Sequence, residues 1–81
     1  MIEWQADRPR WEQIADVIRE RIADGTYPPR TRVPSVQQLV ADYGVAVDTA
    51  QKVLARLREE GVVYTVRGLG SFVADHRQGE S

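Results

Sequence analysis

The most informative part of the sequence runs from Val33-Pro34-Ser35 to Gly61 and continues through Arg67-Gly68-Leu69-Gly70-Ser71-Phe72-Val73. Ser35-Val36-Gln37-Gln38 matches a capping box that begins a helix, and Gly44-Val45 is short enough to force a sharp corner before a second helix over residues 46–60. The β-branched run at residues 62–66 and the segment at 71–74 predict a hairpin around a glycine-bracketed turn. This order predicts a winged helix-turn-helix of the α+β class (α/β in the broad sense).

A further amphipathic helix is predicted to begin near Pro9 and to end at Gly25, so the fold has three helices, a small antiparallel β-hairpin wing and a short strand near Arg32-Val33. Helical spacing predicts three buried stripes: Trp11, Ile14, Ala15, Ile18 and Ile22; Val36, Leu39, Val40 and Tyr43; Ala50, Val53, Leu54 and Leu57. We expect an extended segment over residues 1–8, laid on the domain by Ile2 and Trp4. The winged helix would occupy residues 9–74 and a flexible tail residues 75–81.

Composition argues against catalysis and metal binding. The 81 residues include no cysteine and a single histidine, His76, so we expect no disulfide, metal site, cofactor or nucleophile–base pair, and no enzyme. No apolar run approaches the roughly 20 residues that span a bilayer, and no signal peptide precedes the first helix, so a cytoplasmic protein without membrane contact is expected. A chain of this length leaves no room for a ligand-sensing domain, so no small-molecule effector is expected.

The second helix of a helix-turn-helix enters the major groove of DNA, which makes the charge distribution informative. The net charge is −1, with residues 1–29 at −2 and residues 71–81 at −1. Residues 30–70 hold six basic and four acidic side chains and are at +2. The positive excess therefore lies on the segment that would face double-stranded DNA, although it is small.

Polar residues of the third helix are candidate DNA contacts. Gln51 can bond adenine N6 and N7 together, although a solvated helix residue is an equal alternative. Asp48 could accept from cytosine N4, but a first-turn acid favoured by the helix dipole is the preferred interpretation. Hydroxyl and cationic groups fix the register of a protein on phosphates without reading sequence. The predicted phosphate contacts are Ser35, Thr49, Lys52 and Arg56.

The tip of the wing holds the strongest single candidate for a DNA contact. Arg67 and Gly68 lie at its tip, where glycine lets the backbone approach the duplex and an inserted arginine favours a narrow minor groove. The alternative is an exposed turn arginine. By contrast, the run Arg58-Glu59-Glu60 is interpreted as a solvated helix face.

Several short motifs follow one another along the chain: Tyr27-Pro28-Pro29, Arg32-Val33-Pro34-Ser35, Leu39 to Gly44-Val45, Thr49 with Val53-Leu54 and Leu57, Glu60-Gly61-Val62-Val63, and Gly68-Leu69-Gly70-Ser71-Phe72-Val73. In these motifs the sequence resembles the DNA-binding domain of the GntR family over about residues 9–74. The resemblance implies a bacterial transcriptional regulator that binds a short palindromic operator as a dimer, most readily a repressor. It adds Arg32, Gln37 and Val47 to the DNA-facing positions.

The sequence departs from the family pattern where Gln37, Val47 and Gln51 replace arginines that are usual there. These departures and the net charge keep a second hypothesis open, in which a winged helix docks another protein or acts as an auxiliary regulator with weak DNA binding. A dimer would have to form through the first helix, the segment Ile2-Glu3-Trp4 or the DNA itself. We therefore expect a weak homodimer, or a monomer that pairs on DNA.

Overall fold

Three helices and a two-stranded antiparallel sheet form the part of the chain that the structure, a computed structural model, describes, which is residues 3–75. In chain order the elements are α1 (Arg10–Ala23), α2 (Val36–Tyr43), α3 (Val47–Glu59), β1 (Val63–Val66) and β2 (Gly70–Val73). The predicted three helices and hairpin wing are confirmed. Ile2, His76 and most of the predicted tail lie outside the described residues. Within residues 3–75, each helix is too short and too polar to cross a membrane.

The strand predicted near Arg32-Val33 is wrong as a strand, because only a single bridge forms there, between Arg32 and Phe72. The Val33 N–H donates to the Ser71 carbonyl at 2.9 Å, so this segment does lie along β2. Pro34 follows directly and has no N–H to extend the ladder. The wing therefore has two strands, with one further residue paired at its edge.

The corner between α2 and α3 is built as predicted. The Ser35 hydroxyl oxygen accepts from the Gln38 N–H at 3.1 Å and caps α2. Among the described residues the Gln38 side chain returns no bond, so only half of the capping box forms. Gly44 ends α2 in the left-handed region, at a φ of 67°, where its N–H donates to the Val40 carbonyl. Only Val45 and Ala46 then separate Gly44 from the first residue of α3.

The core lies where α1, α2 and β1 pack against α3. All four apolar residues predicted for α3 are buried: Ala50, Val53, Leu54 and Leu57. The apolar residues of α2 are less deeply buried than predicted, since Leu39 is buried while Val36, Val40 and Tyr43 are half-buried. α2 has only eight residues and packs on α3 along one edge, so its stripe borders solvent. The opposite face of α3 is left free of the core.

Candidate nucleic-acid interface

The exposed face of α3 carries most of the predicted DNA contacts. Asp48, Gln51 and Lys52 are exposed, and the side chain of Val47 is 51% exposed in the first turn. Thr49 is half-buried at one edge of this face. The residue that caps α3, Ala46, has no side-chain acceptor, and Asp48 lies in the first turn, near the positive end of the helix dipole. That placement fits the dipole interpretation of Asp48.

The α1-facing edge of α3 is organised by a tryptophan that sequence reasoning assigned to packing alone. Trp11 is half-buried, and Lys52 Nζ lies 5.5 Å from its ring centroid. Arg56 Cζ lies 5.3 Å from the same centroid, and Arg56 Nη1 is 3.7 Å from a Glu59 carboxylate oxygen. Cations within about 6 Å of an aromatic ring are attracted to its face. Both predicted phosphate contacts on this edge are therefore held beside one ring.

The start of α2 brings a second group of predicted contacts to the same side of the molecule. Ser35 and Gln37 are exposed there, and the Ser35 hydroxyl hydrogen remains free to donate because its oxygen is the acceptor in the cap. Arg32 is exposed and its guanidinium carbon lies 5.7 Å from the Phe72 ring centroid of the wing. Helix N-termini with free N–H groups are suited to phosphate oxygens.

The wing tip is exposed, as predicted. Arg67 and Gly68 are open to solvent, Gly68 has a φ of 82°, and the turn is closed by the Leu69 N–H donating to the Val66 carbonyl at 2.9 Å. The strands behind the tip are held by stacking of Tyr64 and Phe72, whose centroids are 6.0 Å apart. The tip therefore projects from a short but ordered hairpin.

Ion pairs made by two arginines of the first part of the chain explain how a chain of net charge −1 can present a positive face. Arg8 and Arg19 both bond Asp16, and the Arg8 bond makes the largest contribution to lowering the pKa of that carboxyl. Arg19 also donates to both Glu60 oxygens, at 2.7 and 2.9 Å, which lowers the Glu60 pKa. Asp16 on α1 and Glu60 at the end of α3 are therefore both paired with arginines. Among residues 3–75, Arg32, Lys52 and Arg67 have no ion pair.

Comparisons with known proteins agree with this geometry. The family described as bacterial regulatory proteins, gntR family, matches residues 10–73. The chain is 36% identical over 70 residues to the histidine utilization repressor of Klebsiella aerogenes, and the match covers 86% of this chain and 29% of that protein. The chain thus spans less than a third of the length of that relative.

Two solved structures are similar over most of the chain. One is a GntR family transcriptional regulator from Listeria monocytogenes, with a TM-score of 0.85, 33% identity, and coverage of 95% of this chain and 68% of that one. The other is the DNA-binding domain of AraR in complex with operator ORR3, with a TM-score of 0.80, 28% identity, and coverage of 91% and 89%.

Proposed function

This chain belongs to the GntR family of bacterial regulatory proteins, and we propose that it is a sequence-specific DNA-binding regulator of transcription. It represses by occupying a palindromic operator, works in the cytoplasm and performs no chemistry of its own. The observation that carries the proposal is the exposed face of α3, which adjoins the start of α2 and the wing. The AraR domain that this fold resembles was solved with its operator, which supports the same use of the face.

Base readout is assigned to the first half of α3. Gln51 is exposed in the middle of that face, where a carboxamide can donate to and accept from one adenine edge. Val47, exposed one turn earlier, is suited to the methyl group of thymine. Asp48 serves the helix dipole, and its charge disfavours close phosphates beside it.

Phosphate contacts surround this readout surface. Lys52 and Arg56 border it on the Trp11 side, and Thr49 lies at the same edge. Ser35, Gln37 and Arg32 border it at the start of α2. These groups hold the register of α3 without reading sequence, so their loss weakens all DNA binding alike.

At the wing tip, Arg67 enters the minor groove that flanks each half-site, and Gly68 lets the backbone follow it. Two copies of the domain bind half-sites about one helical turn apart, related by the two-fold symmetry of the operator. The pair is weak in solution and forms chiefly on DNA.

Selection of bound fragments from a random-sequence DNA pool, repeated at two salt concentrations, tests this proposal. The expected result is a palindromic consensus whose enrichment falls at the higher salt, because phosphate contacts release counterions. Footprinting should show two half-sites, with Arg67→Ala losing affinity chiefly where the flanks are A·T-rich. Absence of binding at low salt by a folded protein would instead favour the protein-docking hypothesis.

A further inference from the structure

An open cleft of 310 Å³ lies between α3 and the wing. Two arginines line it, Arg32 and Arg58, together with three hydroxyl side chains, Ser35, Thr65 and Ser71. No carboxylate of the described chain lines it. The cleft therefore combines positive charge with hydrogen-bond donors, which is the chemistry that recognises a phosphate group.

Arg58 is the unexpected member of this cleft, because the next two residues of the sequence, Glu59 and Glu60, are acidic neighbours. The structure directs those neighbours elsewhere: Glu59 lies beside Arg56 at 3.7 Å, and Glu60 is bound by Arg19 of α1. Within residues 3–75 Arg58 has no ion-pair partner. Its charge is therefore available to a ligand in the cleft rather than neutralised on the helix.

Arg32 is fixed across the cleft by the wing. Its guanidinium carbon is 5.7 Å from the Phe72 ring centroid, and its side chain runs over Gly70. A Cβ at Gly70 would lie 3.6 Å from Arg32 Nε, which is ordinary van der Waals contact, so the arginine side chain lies directly against this position of β2. Beside it the hydroxyl oxygens of Thr65 and Ser71 are 3.2 Å apart. One of these hydroxyls donates to the other, and the second hydrogen is free for an anion.

We propose that the cleft binds a phosphate of the DNA strand that separates the major groove from the minor groove, with Arg58 and Arg32 as its cationic donors. The inference rests on the proposed function. If α3 occupies the major groove and the wing tip the adjacent minor groove, the backbone between those grooves must cross the space between α3 and the wing. That space is this cleft, and its charge and donors match what crosses it.

The test is the salt dependence of binding to a random-sequence duplex of about three helical turns, measured for Arg58→Ala. The matched control is Arg21→Ala, which removes the same charge from the last turn of α1 and lies outside the cleft. Arg58→Ala is expected to weaken binding about tenfold and to reduce the slope of log K against log salt by about 0.9, the value for one lost phosphate contact. Thr65→Val, which keeps the shape of the side chain, should weaken binding about threefold.

The possible outcomes distinguish failure of the cleft assignment from failure of the proposed function. If the wild-type protein binds and Arg58→Ala keeps the salt slope of Arg21→Ala, the cleft assignment is wrong while DNA binding stands. If the folded wild-type protein binds no duplex at low salt, the proposed function fails and the cleft assignment fails with it. A loss for Arg58→Ala on a selected operator but not on random DNA would also contradict a phosphate contact, since phosphates carry no sequence.

Discussion

The side-chain carboxamide of Gln13 binds both the N–H and the carbonyl group of the Gln5 backbone. The Gln5 N–H donates to Gln13 Oε1 at 2.8 Å, and Gln13 Nε2 donates to the Gln5 carbonyl at 3.0 Å and to the Arg8 carbonyl at 2.9 Å. Gln13 is only 5% exposed, so these three bonds are made largely away from water. They fasten the segment before α1, whose Trp4 ring then meets Tyr43 of α2 edge-on at 6.3 Å.

Replacing Gln13 should therefore destabilise the domain through the segment before α1. We expect Gln13→Ala to lower the free energy of unfolding by about 1–3 kcal/mol, because it leaves backbone groups of this segment without partners. Urea unfolding followed by tryptophan fluorescence measures the change. The matched control is Gln5→Ala, which keeps the backbone bonds and should be nearly neutral. Equal losses for the two variants would contradict this role for the Gln13 carboxamide.

The ion pair between Arg19 and Glu60, which joins α1 to the residue after α3, makes stability depend on pH. Arg19 lowers the pKa of Glu60 in the folded state, so the stabilisation is fully present above the ordinary glutamate pKa. It is lost as pH falls through the lowered folded-state pKa, when the carboxylate takes up a proton. Both side chains are about one third exposed, so solvent screening limits the contribution to about 0.5–1 kcal/mol.

Glu60→Gln should accordingly lose stability near neutral pH and approach the wild-type protein in acid. Thermal unfolding at about pH 7 and about pH 3 measures both. Glu20→Gln is the control, since Glu20 is exposed on α1 and has no ion pair within residues 3–75. A Glu60→Gln deficit that persists unchanged in acid would show that the pair does not act through charge.

Gln51 and Lys52 are adjacent on α3, but we expect their replacement to change DNA binding in different ways. Gln51→Ala should reduce the preference for the selected operator by about tenfold, the range of one bidentate base contact, and leave random-sequence binding nearly unchanged. Lys52→Ala should weaken both by a similar factor. Fluorescence anisotropy with both duplexes at fixed salt measures the ratio. If both variants lose the same affinity on both duplexes, Gln51 does not read bases.

Trp11 should act on DNA binding without touching DNA. Trp11→Leu removes the ring beside Lys52 and Arg56, and each exposed cation–π contact contributes about 0.5–1 kcal/mol. We expect binding to weaken several-fold on every sequence, with an unchanged salt slope because both cations remain. Trp11→Phe keeps an aromatic face and should recover most of the affinity. If Trp11→Phe is no better than Trp11→Leu in protein shown to be folded by circular dichroism, the ring does not position the cations.

The elements themselves could be predicted from the sequence because they depend on local chemistry. The cap at Ser35, the left-handed Gly44 and the buried arc of α3 each follow from spacing and backbone preference within a few residues. The exposure of Gln51 and Arg67 follows from the same periodicity and turn chemistry. The length of the paired segment near Arg32 could not be predicted from the sequence, because it depends on pairing with β2, which lies about forty residues away in sequence.

The contacts between side chains of different elements could not be predicted from the sequence, because they depend on how the elements pack. Gln13 looks like any polar helix residue until the chain folds back and places Gln5 beside it. Trp11 has the spacing of a core residue, yet the packing of α1 on α3 leaves it half-buried under two cations. Arg58 is followed in sequence by Glu59 and Glu60, but Arg56 and Arg19 bind these carboxylates, and Arg58 lines the cleft beside the wing. Periodicity fixes the direction of a side chain from its own helix axis, whereas its partner depends on how separate elements pack.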